Sequence, residues 1–169
     1  MIAKLSSERG TTLIETAIAS AILLVAMVGL LSMTALATMY TENHGHLEAR
    51  TTEYAQDKME QLLALAYSDQ LSDTTVFPAA TSGGTGLAVG GGTNVDAPVA
   101  GYVDWIAGDG TLLGGGTAVP ATWFYKRVWQ VTLPSTGLKQ VTVVTTVRSA
   151  IGGEMIPKST VVTLKTSQF

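Results

Sequence analysis

Three aspartates, Asp96, Asp104 and Asp109, come nearest in this 169-residue chain to the residue types and spacing of a cation site. Carboxylate oxygens are what a hard cation such as Ca²⁺ takes. The spacing lacks the regular ligand ladder and closing Glu of an EF-hand, so turn aspartates are the simpler reading. His44 and His46 are the only imidazoles. Two residues apart, they do not share a helix face, and they read as solvated positions beside a bend permitted by Gly45. With no cysteine there is no thiol nucleophile, thiolate ligand or disulfide framework. No Gly-x-Ser-x-Gly elbow occurs, and no Gly-Lys-Ser/Thr follows any glycine run, so neither a hydrolase site nor a phosphate loop is expected. The expectation is a non-enzyme with no cofactor and no resident metal.

What remains is one carboxylate in an apolar setting. Residues 16–41 carry no formal charge and are rich in Ala, Leu, Ile, Val and Met, with no Pro. Twenty-six such residues, as a helix, are enough to cross a hydrocarbon core about 30 Å thick. Lys4 and Arg9 precede the run and place the N-terminus in the cytoplasm by the positive-inside bias. Two ordinary readings compete: a plain membrane anchor, and a secretory signal cut after Ala35-Leu36-Ala37. Neither has a use for Glu15, which is costly in lipid unless it meets a partner or the headgroup boundary.

The stretch Glu8-Arg9-Gly10-Thr11-Thr12-Leu13-Ile14-Glu15 suggests a third arrangement. It resembles the type IV pilin-like family, whose leader ends in Gly and whose mature chain carries Glu at its fifth residue within a hydrophobic helix. Gly10 and Glu15 fall on those positions, while Thr11 departs from the family's usual Phe. The resemblance implies that a prepilin peptidase/methyltransferase cuts between Gly10 and Thr11 and methylates the new amine of Thr11. It also implies assembly into a filament with other pilin or pseudopilin subunits on an inner-membrane platform. In a low-dielectric filament core, Glu15 would offset the Thr11 ammonium of a neighbour and set axial register.

Past Tyr40 the helix formers continue, now amphipathic. Leu47, Tyr54, Ala55, Met59, Leu62, Leu63 and Ala66 recur at three- and four-residue steps opposite Glu48, Glu53, Asp57 and Gln61. Glu53, Lys58 and Glu60 read as a solvated face. The run Glu53-Tyr54-Ala55-Gln56-Asp57-Lys58-Met59-Glu60-Gln61-Leu62 resembles minor subunits of the pilus-modification and minor-pseudopilin type. The missing cysteine pair and the Pro-free apolar helix point the same way.

Residues 78–120 form a Gly/Pro-rich connector whose glycine runs read as turns. Within it, Asp109-Gly110 sits between two apolar runs and predicts a short hairpin over residues 101–113. Three β-rich runs follow, at 123–133, 138–148 and 160–166, and predict an antiparallel meander. Its core should come from Trp129, Val131, Val141, Val143, Val147 and either Val161 or Val162, opposite Met59, Leu62 and Leu63. Lys126, Arg127, Lys139, Arg148, Lys158 and Lys165 gather in this region, as contacts for acidic subunit helices or for solubility, with DNA contact during uptake the lesser alternative.

The expected fold is α+β, a long helix packed on a small antiparallel sheet, which is also what the resemblance implies. Its parts are a leader at 1–10, a hydrophobic membrane or filament-core helix at 11–40 and an amphipathic extension at 41–68. The connector with its hairpin occupies 69–122, and the sheet 123–169. A net charge of −3 without a dense basic cluster leaves no footprint for nucleic acid. The expected place is the bacterial inner membrane, single-pass with the sheet outside, and then a pilus or pseudopilus. The reading from another class is a membrane-anchored extracytoplasmic module that binds a ligand through Trp105 or Trp123.

Overall fold

The computed structural model describes residues 13–150 and 156–167. One helix, α1 (Leu13–Ala64), precedes six strands: β1 (Gly90–Gly91), β2 (Val103–Ala107), β3 (Leu112–Gly115), β4 (Trp123–Ser135), β5 (Leu138–Val147) and β6 (Lys158–Thr166). The fold is α+β, as the residue pattern predicts. The chain divides into two compact units, Met1–Thr41 and Glu42–Phe169.

In the first unit the described helix residues are all exposed. Leu13, Ile14, Ile18, Ile22, Leu23 and Leu24 are all more than half exposed. Several hydroxyls that interrupt this surface are satisfied within the helix: Ser32 donates to the Val28 carbonyl, Thr38 to that of Thr34 and Thr41 to that of Ala37, each at 2.9 Å. Such back-bonding lets a hydroxyl sit in an apolar medium without the cost of an unmade bond.

In the second unit α1 continues as α-helix through Gly45 without interruption; the helix ends at Ala64, a turn before the expected Ser68. Its inward face is Thr51, Ala55, Lys58, Met59 and Leu62. Ala55, Met59 and Leu62 pack with Leu87, Tyr102, Trp129, Val131, Val141 and Val143, and Val161 closes the cluster. Val162 instead points away and is 53% exposed, which settles the choice between the two valines. Val147 belongs to a neighbouring cluster with Ile106 and Tyr125.

The sheet is antiparallel throughout, in the order β3-β2-β4-β5-β6, with β1 pairing β4 beside β2. The meander of three strands is thus one side of a larger sheet, and the hairpin is its other side. Two glycine runs expected as turns are in fact strands, Gly90-Gly91 in β1 and Gly114-Gly115 in β3. Gly91 shows why glycine is needed: its φ is +78°, and a Cβ there would lie 2.2 Å from the Trp129 carbonyl oxygen. On the face away from the helix, Val103, Trp105, Val128 and Val144 form a second buried cluster, covered in part by Val95, Leu113 and Trp123.

Candidate functional site

Gly10 and Thr11 lie outside the described residues. Glu15 is placed in the first described turn of α1, exposed among exposed apolar neighbours. The helix that carries it is long and apolar enough to cross a membrane, with none of its most apolar window buried in the protein. A core helix of a soluble domain would be covered; this one is consistent with single-pass anchoring.

The second unit holds a charge network that the residue pattern did not announce. Asp104 in β2 is fully buried between Lys58 of α1 and Arg127 of β4. Arg127 grips it with two parallel bonds, Nε to Oδ1 at 2.7 Å and Nη2 to Oδ2 at 2.8 Å. This fork geometry is the strong form of a charge-assisted bond. The remaining guanidinium nitrogen, Nη1, reaches Asp57 Oδ2 at 2.9 Å and the Tyr54 carbonyl at 3.3 Å, so that one arginine ties β2 and β4 to the helix. Lys58 Nζ donates to Asp104 Oδ2 at 2.9 Å, to the Thr74 carbonyl at 2.6 Å and to Thr74 Oγ1 at 3.0 Å. Three acceptors match the three donors of an ammonium, where a neutral amine has two. The Trp129 ring lies 4.0 Å below that nitrogen.

Burial opposes ionisation of Asp104, but the adjacent Lys58 and Arg127 charges outweigh it and hold the carboxyl below its ordinary value. Burial likewise pulls Lys58 down from the usual lysine value, against the pull of Asp104 in the other direction. With both Asp104 oxygens and every nitrogen of Lys58 and Arg127 engaged, the network fastens helix to sheet.

These placements correct three expectations. Lys58 is at the centre of the helix–sheet contact and not on a solvated face, because it shares the register of Ala55 and Leu62. Asp104 is a buried strand residue and not a turn residue. Arg127, Lys139 and Lys165 are turned towards the helix and are not an open basic face. Asp109 does form an Asx turn, its Oδ1 accepting the Thr111 N–H at 2.9 Å, and the Asp96 backbone N–H donates to Asn94 Oδ1. Among the described residues no three His, Asp or Glu side chains form a group that could hold a metal ion. Trp105 is buried, so it offers no ligand surface, whereas Trp123 is half-buried. His44 Nδ1 lies 3.3 Å from Glu48 one helical turn on.

Lys139 and Lys165 face each other across β5 and β6. Like charges in register normally repel, yet both serve the C-terminal end of α1, whose last turn has no basic residue. Lys165 Nζ donates to the Leu63 and Leu65 carbonyls. Lys139 Nζ reaches the Tyr67 carbonyl at 2.6 Å and that of Leu87 at 2.7 Å. The Leu63 carbonyl, which the helix end leaves orphaned, and those of Leu65 and Tyr67 in the turn after it are thereby satisfied, with cations near the negative end of the helix dipole.

No protein-family model, curated protein or solved structure matches the chain. The class therefore rests on architecture: an apolar N-terminal helix whose amphipathic continuation packs on an antiparallel sheet is a pilin-like arrangement.

Proposed function

We propose that this chain is a structural subunit of a type IV pilin-like filament, of minor-pilin or minor-pseudopilin type, and not an enzyme. The precursor waits in the inner membrane with its leader inside and the sheet domain outside. A prepilin peptidase cuts between Gly10 and Thr11 and methylates Thr11. An assembly platform then moves the subunit from lipid into a bundle of equivalent helices. Both surroundings are dry, so the transfer changes little for the apolar side chains, and register comes from pairing Glu15 with the Thr11 amine of a neighbour.

The observation that carries this reading is the uncovered apolar helix with Glu15 among its exposed residues, continuous with the helix that the sheet domain holds. A plain anchor needs the apolar surface but not the carboxylate. The test is Glu15→Ala in the full chain, read by membrane fractionation and by recovery of sheared filaments. The variant is expected to stay in the membrane while filaments disappear. Undiminished filaments from the variant would contradict the assembly role, and an absence of filaments from the unsubstituted chain would favour an anchored binding module.

A further inference from the structure

The cations of the sheet domain sort into two sets. Lys58, Arg127, Lys139 and Lys165 are spent under the helix, on Asp104, Asp57 and the helix-end carbonyls. Lys126, Arg148 and Lys158 form no ion pair among the described residues, and all three line one cleft of about 380 Å³ with Trp123, Val95 and Asp96. The sheet register explains the gathering. Trp105, Lys126, Thr146 and Lys158 are direct partners across β2, β4, β5 and β6, a single row on the face away from the helix. Lys126 Nζ stands 5.4 Å from the Trp105 ring centre and 5.5 Å from that of Trp123, and the Arg148 guanidinium 5.7 Å from Trp123. The Trp123 indole and one carboxylate thus border three cations, leaving the cleft net positive, with Trp105 buried beneath Lys126.

The opposite side of the same unit carries the reverse charge. Glu42, Glu53 and Glu60 recur at steps of eleven and seven residues, so they align along α1 within about 20° of each other. That stripe lies about 180° round the helix from Ala55, Lys58 and Leu62, and all three glutamates are exposed. Among the described residues the one ion pair they form, Glu53 with Arg50 at 3.0 Å, is exposed and thus weak enough to be exchanged.

We propose that the Trp123/Lys126/Arg148/Lys158 cleft is a docking surface for the Glu42/Glu53/Glu60 stripe of a second copy of this chain. This rests on the filament reading and assigns its contact between sheet domains. Complementary patches on opposite faces of one unit make a head-to-tail contact, which repeats along a filament or closes into a ring and does not stop at a two-fold dimer. Charge pairing selects the register, and the Trp123 indole gives the cleft an apolar wall that strengthens it.

The absence of cysteine makes the test direct. Two differently tagged full-length copies are co-expressed, one with Gln56→Cys beside the stripe and one with Thr160→Cys beside the cleft, so that every charge is kept. Dimers carrying both tags are expected after mild oxidation, and a ladder when one chain carries both cysteines. Glu53→Lys with Glu60→Lys should cut the yield at least about tenfold, and adding Arg148→Glu with Lys158→Glu should restore it. All four positions are exposed, so the fold is kept, and circular dichroism of each variant checks it. Yields unmoved by either reversal, or no mixed-tag product in cells that do shed filaments, would overturn the proposal while leaving the filament reading intact. Mixed-tag product without filaments would do the opposite. A single-stranded oligonucleotide held by the solubilised full chain and released by Arg148→Glu with Lys158→Glu, with cross-linking unchanged, would assign the cleft to a polyanion and also overturn it.

Discussion

Asp104 is the residue on which the sheet domain turns, since its removal leaves two buried cations facing each other. Asp104→Ala is expected to cost about 3–5 kcal/mol, measured by urea unfolding of the detergent-solubilised chain followed by tryptophan fluorescence. Replacing the set together, Lys58→Met with Asp104→Leu and Arg127→Met, should cost far less, because no charge is then stranded. The pH dependence follows from the same carboxyl. Its folded value lies below its unfolded value of about 3.9, so the stability it confers is complete above that pH. That stability is lost as pH falls through the folded value. Unfolding midpoints should therefore drop on acidification below about pH 4 in the parent and drop less in the triple variant. Part of this was legible beforehand. Arg127 alternates with Tyr125 and Trp129, and Lys58 sits three residues past Ala55 and four before Leu62. Both therefore occupied inward positions. Their charge argued for solvent, and only the fold could show that Asp104, distant in sequence, would meet them.

At the scale of elements, the end of α1 depends on lysines supplied by the sheet. Lys165→Met is expected to lose about 1–3 kcal/mol and to speed hydrogen exchange in the last turn of the helix, while exchange in β4 is little changed. A uniform change across the domain would mean that Lys165 acts through packing alone. β1 makes a second case, since a Cβ at Gly91 would strike the backbone of β4. Gly91→Ala should destabilise by about 1–3 kcal/mol, visible in the same unfolding assay, and an unchanged midpoint would show that β1 can move aside. The long strands and the hairpin were readable because alternation and Asp109-Gly110 are local signals. β1 was not, because two glycines have no side chains to alternate, and their pairing with Val131 and Gln130 is a long-range fact.

For the whole molecule, the two units divide the labour. The first presents an apolar helix whose described residues are exposed, and the second is a sheet domain held to its helix by charge and packing. Composition and hydropathy made the α+β class and the exposed first half of the helix legible, whereas the pairing of inward charges depended on topology. The central claim is that the chain is cut at Gly10 to become a filament subunit. Mass spectrometry of the N-terminus of the protein recovered from membranes and sheared filaments tests it most directly. The expected result is a chain that begins at Thr11 and carries one methyl group on its amine. An intact N-terminus at Met1, as a plain anchor would keep, or one at Thr38, as a secretory signal would leave, would contradict it.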